Sequence, residues 1–361
     1  MPSRDITLGA EVETYTITLD DYHIGRHFML PRKSVIEKGE SYHRDRSIGI
    51  EYASRPFTSI REALFNIKGG LKKSITAYRF EQAKKKRDYV LFFAGTWRDR
   101  FAATHFHVGL SPDDLSFRDA VMVSKHLHGH LPFLIALLAN SPLYRGGITA
   151  SDSNRALVAG DKFFYPLEFG ELDSEYREEM TFNKSRKKRT PTLEIRPCDA
   201  NLPEYMAAGL VVVKAVSMAA IGRKAICNRN SHERHLKARE KAARHGPAAT
   251  LYWNNRPLRA DSYLDKFFRE YDWALSQMDI PPEAFEVFRL FKMGWNGAGI
   301  LRRACRRHKR AHPRVWERYF AEEYADAVTA LLQGETLHTF SRMLGLRPPD
   351  TSGIKLGNRK W

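Results

Sequence analysis

"THFHVGLS", residues 104–111, is the stretch on which the fold reading turns. His105 and His107 stand two apart, with Phe106 between them and Val108 after. Along a β-strand, residues i and i+2 share a face, so both imidazoles point one way and both apolar groups the other. An ordinary half-solvated strand has this alternation, and so does a strand lining a metal–nucleotide site. Other strand-like stretches carry the same polarity. "GAEVETY" (9–15) puts Glu11 and Glu13 on one face, opposite Val12. "SIGIEYAS" (47–54) sets Gly49 and Glu51 against Ile48 and Ile50. "TLEIRP" (192–197) sets Thr192, Glu194 and Arg196 against Leu193 and Ile195.

Placed in one sheet, these strands have an apolar back for helices to cover and a front of four glutamates, two histidines and an arginine. Carboxylates that close repel one another unless a cation sits among them. Oxygen-rich sites suit hard ions, Mg²⁺ or Mn²⁺, and Mg²⁺ usually arrives with nucleotide phosphates.

The surrounding pattern alternates strands with helices. "ITLGAEVETYTITL" (6–19), "RSIGIEYASRPF" (46–57), "DYVLFFAGT" (88–96) and "TPTLEIRPCD" (190–199) read as strands. Residues 58–80 have helical spacing behind a Thr58/Ser59 cap, and residues 111–140 read as a helix bent near Pro132. A further helix runs from Pro203 to about Arg223. Its apolar stretch 209–222 is broken by Lys214 and reads as a buried helix rather than a membrane span. From about Asn228 the chain turns polar and basic. "NRNSHERHLKAREKAARHG" (228–246) reads as an exposed helix, and the rest of the tail is mostly helical. The expected organisation is therefore a catalytic core over 1–227 and a basic, mostly helical C-terminal region over 228–361 packed on it.

The chain has 361 residues and a formal net charge of +17, with basic runs at 84–87, 184–189 and 302–310. That balance favours anionic partners. The 3 cysteines, Cys198, Cys227 and Cys305, are widely spaced, which argues against a disulfide framework or zinc ribbon and suits a cytoplasmic protein. The start has no apolar signal core.

Taken together, "LGAEVET" (8–14), "THFHVGLS", "LIALLANSPLYRG" (134–146) and "TLEIRPCDANLPEYMAAGLVVVKAV" (192–216) resemble the carboxylate–amine ligases of glutamate–cysteine ligase type 2, which share a catalytic fold with glutamine synthetase. "DRSIGIEYASRPFTSIREAL" (45–64) is similar to the related putative amidoligases. The resemblance covers roughly residues 8–220 and implies an α+β fold: a curved antiparallel sheet forming a cradle of glutamine synthetase type, with packed helices and a helical C-terminal lobe. It implies ATP and Mg²⁺ (or Mn²⁺) as cofactors. The implied reaction has two steps. A substrate carboxylate takes the γ-phosphoryl group to form an acyl phosphate, and an amine then displaces phosphate to leave an amide.

By resemblance, Glu11, Glu13, Glu51 and Glu194 are metal ligands. His107, supported by His105, lies at the nucleotide phosphates. Arg196 holds a phosphate or substrate carboxylate. Arg196 and Glu51 are the catalytic candidates. Asp45 is a candidate for metal or amine, and Asn140 and Ser141 for a turn at the substrate end. The expected partners are a small carboxylate and an amine, or an acidic peptide or carrier protein; the motifs do not fix which. No membrane partner is expected.

Two rival readings accompany this one. A phosphotransferase of the same fold, like the guanidino kinases, would stop after phosphoryl transfer. A basic nucleic-acid-binding protein on a non-catalytic scaffold would explain the charge, but the chain has no helix-turn-helix, RRM or zinc-finger pattern. "HLHGH" (126–130) lacks the glutamate of a zinc-binding helix motif and reads as the middle of an amphipathic helix. "GWNGAG" (294–299) reads as a turn between tail helices, and Cys198 as a buried filler.

Overall fold

Alternation along β1 (Asp5–Thr18) organises the molecule. Ile6, Leu8, Ala10 and Val12 are buried on one face, while Thr7, Gly9, Glu11 and Glu13 are half-exposed on the other. A computed structural model describes residues 5–18, 30–45, 48–85, 89–172, 177–184 and 190–357. Within these, the strands are β1, β2 (Ser41–Asp45), β3 (Gly49–Ala53), β4 (Tyr89–Phe92), β5 (Thr96–Trp97), β6 (Arg100–Phe101), β7 (Ala103–Ser111), β8 (Leu143–Tyr144), β9 (Gly147–Ile148), β10 (Met180–Asn183), β11 (Thr192–Asp199), β12 (Thr250–Trp253) and β13 (Arg256–Arg259). The helices through the middle of the chain are α1 (Ile60–Lys85), α2 (Phe117–His128), α3 (Leu131–Leu138), α4 (Asn154–Val158), α5 (Gly160–Phe163) and α6 (Pro203–Ile221). The tail supplies α7 (His232–His245), α8 (Ala260–Glu270), α9 (Asp272–Leu275), α10 (Pro282–Lys292), α11 (Gly297–Ala311), α12 (Trp316–Leu332) and α13 (Leu337–Met343).

The main sheet runs β10-β11-β7-β1-β3-β2, antiparallel throughout, with β4 paired to the C-terminal end of β1. The α+β class expected from the sequence is the one found. On the apolar back of the sheet, α6 packs against β1 and β7 and against α1, α2, α3, α9 and α10. Enclosed on several sides, it reads as apolar nearly all round. It is long and apolar enough to cross a membrane, yet 83% of its apolar window is buried in the protein. At Gly209 a Cβ would lie 2.8 Å from the Phe106 ring, so glycine lets this helix approach the strand of the paired histidines. One hydrophobic cluster extends from Ile6 on β1 to Leu356 in the tail. The Tyr324 hydroxyl of α12 donates to Phe93 O just beyond β4.

The bend expected near Pro132 falls at Gly129–His130. There α2 gives way to α3 at 65°, with Pro132 in the first turn of α3. His126 and His130 therefore do not share a helix. His130 is buried instead, its Nδ1 2.8 Å from the Tyr263 hydroxyl and its Nε2 3.0 Å from that of Tyr271.

α7 departs from the reading as an exposed helix. Its N-cap is Ser231, and His235, Ala238, Arg239, Ala242 and Ala243 form a buried stripe. The polar members of that stripe meet the fully buried Glu179, so a helix that reads as basic in sequence has a charged inner face with a partner. The β12–β13 hairpin, absent from the sequence reading, turns on Asn254 and Asn255, both at positive φ. Only the first half of "GWNGAG" is the expected turn: Gly294 has φ +77°, Asn296 caps α11 through Gly299 N, and Gly297–Gly299 form the first turn of that helix.

Candidate functional site

The pairing register sets the site. Glu194 of β11 lies opposite His107 of β7, and His107 lies opposite Gly9 of β1. His105 faces Glu11, Glu13 faces Glu51 of β3, and Glu51 faces His43 of β2. The side chains of one sheet face thus converge on a cavity of about 1150 Å³. Glu11, Glu13, Glu51, His105, His107, Glu194 and Arg196 all line it. Every site residue expected from the four strands is brought to one place.

At its centre, Glu11, His107 and Glu194 present one ligand atom each, all within 4.8 Å of one another. His105 Nδ1 lies 3.2 Å from Glu194 Oε1 and 3.7 Å from Glu11 Oε2. Thr192 Oγ1 orients the His107 ring at 3.2 Å from Nδ1. This leaves His107 Nε2 buried, with only the Glu11 carboxylate at 3.5 Å, too long for a good hydrogen bond. An orphaned imidazole nitrogen between two carboxylates fits a divalent cation, and Mn²⁺ or Mg²⁺ suits that mix of donors. His107 is thus placed among groups that could hold a cation.

The electrostatics are those of a site with excess acid at one end. Burial alone would raise the Glu11 carboxyl. The close imidazoles of His105 and His107 and their charge outweigh it and hold Glu11 well below the usual carboxylate range. Glu194 is also lowered: burial opposes this, and the charges of His105, His107 and Arg196 with a bond from Asn183 prevail. His107 is raised: burial opposes this, and the close Glu11 carboxylate with the charge of Glu194 outweighs it. Glu51 goes the other way. Burial, then the negative charges of Glu11 and Glu13, push it up to about 7. Glu13 accepts Ala103 N–H at 2.6 Å, which fixes its carboxylate toward the β7 end.

Arg196 sits where the β11–β7 register shifts between Ile195 and Cys198. The bulge is held from both sides: Arg196 N donates to Glu179 O at 2.9 Å, and Arg155 donates to the carbonyls of Arg196 and Cys198. The Arg196 guanidinium contacts Glu194 Oε1, and Asn183 donates to Glu194 Oε2 at 2.9 Å. Glu194 is thus oriented from two strands.

The remaining sequence candidates fall elsewhere. Asn140 and Ser141 are 2% and 0% exposed. Their backbone N–H and hydroxyl donate to Asp199 at 2.8 and 2.7 Å, so they brace the scaffold beneath the site rather than line the cavity. Asp45 ends β2 opposite Gly49 and does not line the cavity. Cys198 is fully buried, and burial pushes its thiol up. Of the basic runs, 86–87 and 185–189 lie outside the described residues, while Lys184 lines the cavity.

Several cavity residues escaped the sequence reading. Thr181 and Asn183 belong to β10, a four-residue strand whose only signal is Thr and Asn alternating with Met180 and Phe182. Ser41 and His43 belong to β2, and Arg177 precedes β10. Near Thr7 the floor is smooth: Gly9 and Gly109 line it, and a Cβ on Gly109 would lie 2.7 Å from Thr7 Oγ1.

No family model matches the sequence, and no curated protein matches it either. Solved structures do match. The complex of the prokaryotic ubiquitin-like protein Pup with its ligase PafA aligns with a TM-score of 0.59 at 13% identity, over 95% of this chain and 80% of that one. A glutamate–cysteine ligase from Francisella tularensis, in complex with AMP, aligns at 0.58 and 11% identity, over 95% and 92%. A bifunctional glutathione synthetase from Pasteurella multocida aligns at 0.58 and 13% identity. That match covers 94% of this chain but only 55% of the length of the synthetase. With its antiparallel sheet, its helix-covered back and its acidic front, the chain has the fold of the carboxylate–amine ligases of glutamine synthetase type.

Proposed function

We propose that this protein is an ATP-dependent carboxylate–amine ligase, an amidoligase that forms a peptide or isopeptide bond through an acyl phosphate, probing one acid and one amine in the same cavity. The observation that carries this is the convergence of Glu11, His107 and Glu194 on one face of the sheet, with Arg196 against Glu194. A Mg²⁺ or Mn²⁺ ion held there would neutralise phosphate oxygens, which phosphoryl transfer requires.

The chain's own groups position and exclude. Glu11, His107 and Glu194 are the ligands, and Glu13 and Glu51 are the acids of a neighbouring cation position. Burial first, and then the charges of Glu11 and Glu13, raise the Glu51 carboxyl, so a cation placed among these acids would favour its ionised form. His105 sits against both Glu11 and Glu194 and holds them in place. Arg196 offers a planar fork to a phosphate or carboxylate, and Arg177 and Lys184 add positive charge at the same wall. In the reaction, the substrate carboxylate attacks the γ-phosphorus of ATP and ADP leaves. The amine nitrogen then attacks the acyl carbon, losing a proton as phosphate departs. Residues 1–227 carry all of these groups, and 228–361 support them from behind. A cytoplasmic location suits the free thiols and the use of ATP.

The substrates fall in the class of a carboxylic acid plus an amine, small or carried on an acidic peptide or carrier protein. The test is ADP and phosphate release with Mg²⁺-ATP across a panel of amino acids and amines, for wild type and Glu194→Ala. Release that needs one acid and one amine, and disappears in the variant, supports a ligase. A phosphorylated product without amide identifies a phosphotransferase instead. Absence of both ATP binding and turnover refutes the proposal.

A further inference from the structure

α11 contains no acidic residue, and its two faces have different roles. Ile300, Leu301, Ala304, Cys305 and His308 are buried. Arg302 turns inward to Asp152 Oδ1 at 2.6 Å and to the carbonyls of Thr149 and Ser151, and Arg307 turns to Glu323. Arg303, Arg306, Lys309 and Arg310 face solvent, followed by exposed Arg314. Spacings of three and four put them on one side of a helix about 22 Å long. Among the described residues, Arg306, Lys309, Arg310 and Arg314 form no ion pair, and the first three line a shallow cleft of about 450 Å³. Three acids of α12 are already paired: Glu317 with Arg98, Glu322 with Arg318, and Glu323 with Arg307 and His308.

The inward side of the same helix is linked by contacts to the rim of the cavity. Arg302 binds the loop after β9, and the β8–β9 hairpin carries Tyr144 and exposed Arg145, whose guanidinium lies 5.2 Å from the Tyr144 ring. Tyr144 stacks on Phe101 at 6.1 Å, and Phe101 meets Phe163 at 6.3 Å. Over Phe163 lie Lys162 at 5.2 Å and Arg177 at 5.8 Å, and Arg177 lines the cavity.

We infer that the solvent face of α11 and this linked strip form the docking surface for an acidic polypeptide, which presents a carboxylate to the cavity. The inference rests on the ligase reading for its choice of occupant, because side-chain and terminal carboxylates are the groups that such a site activates, and nucleic acid carries none. Two further observations favour polypeptide. The rings that could stack on bases already have partners: Phe163 has Lys162 and Arg177, Tyr144 has Arg145 and Phe101, and Tyr319 has His312 at 4.0 Å. Beside the cations, Val315 is 51% exposed and offers apolar contact to side chains.

The test uses the full chain and a fluorescein-labelled peptide of alternating glutamate and alanine, read by anisotropy at several salt concentrations. Wild type should bind it, more weakly as salt rises. Arg306→Glu/Lys309→Glu/Arg310→Glu should lose about tenfold or more in affinity. Arg256→Glu/Arg269→Glu/Lys355→Glu, with the same change in net charge at exposed positions of β13, α8 and the end of the tail, should bind like wild type. Three results overturn the inference: no binding by wild type, equal loss in the two triple variants, or tighter binding of a single-stranded oligonucleotide of equal charge. ADP release on small acids and amines, measured on the same preparations, separates the two readings. Turnover without peptide binding removes the docking surface alone. Peptide binding that is lost only in the α11 variant supports the surface, even where turnover fails and the ligase reading falls.

Discussion

Replacing Glu179 by glutamine tests how the tail helix is locked to the wall of the site. The Glu179 side chain is fully buried. It faces His235 Nε2 at 2.9 Å and the guanidinium of Arg239, whose side chain is itself only 10% exposed. Glu179→Gln keeps the volume and removes the charge, leaving Arg239 inside the protein without its counter-ion. Breaking a buried pair in this way costs about 3–5 kcal/mol. A second route gives a similar size. Burial would raise the Glu179 carboxyl, but the charges of Arg239 and His235 hold it at about 2 against an ordinary 4.5. That difference corresponds to roughly 3 kcal/mol. Because the folded value is depressed, the stabilisation is present above about pH 4.5 and is lost as pH falls toward 2. Urea denaturation at neutral pH should therefore show Glu179→Gln less stable by about 3 kcal/mol, with the gap to wild type narrowing below pH 4.5. Arg239→Met should also destabilise, and the double variant should lose clearly less than the sum of the two. A loss under about 1 kcal/mol, or strict additivity, would refute the reasoning.

Three further outcomes are expected. Glu11→Gln should weaken Mn²⁺ binding by at least about tenfold in a titration followed by electron paramagnetic resonance, while Asp45→Asn should leave it near wild type; equal effects would remove the proposed ligand set. Burial lowers His128 to about 4, helped by the charge of His235, and lowers His130 to about 3. Both stay neutral when folded while the unfolded chain takes up protons below about 6.5, so each contributes a loss of about 1.4 kcal/mol per pH unit between pH 6 and 5; the stability difference between wild type and His128→Asn should narrow by about that much over this range in urea denaturation, and a difference that stays constant would contradict this. Gly209→Ala gains helix propensity of about 1 kcal/mol but presses on Phe106 and Leu138 at 2.8 Å. The crowding should win, with a net loss of about 1–2 kcal/mol in thermal or urea unfolding, and a stabilised variant would show that the core yields.

What the sequence determined by itself was the polarity of each strand. Alternation has a period of two, so Glu11 and Glu13, His105 and His107, and Glu194 and Arg196 could be assigned to common faces without knowing any neighbour. The apolar run of α6 likewise announced a helix enclosed on its sides, and Thr58/Ser59 announced the start of α1, where Ser59 Oγ accepts Glu62 N. What only the tertiary structure decided was register and distant partnership. Glu194 meets His107 across 87 positions of sequence, and nothing local selects that pairing over one shifted by two residues, which would keep the same faces but scatter the ligands. The four-residue β10 is too short for periodicity to reveal, yet it supplies Asn183 to Glu194. In sequence, 126–130 read as the middle of an amphipathic helix and 228–246 as an exposed one. His128, His130 and the charged stripe of α7 are instead buried against groups from remote segments, namely Leu167 O, Tyr263, Tyr271 and Glu179, which supply the partners that offset the cost of burying a polar side chain.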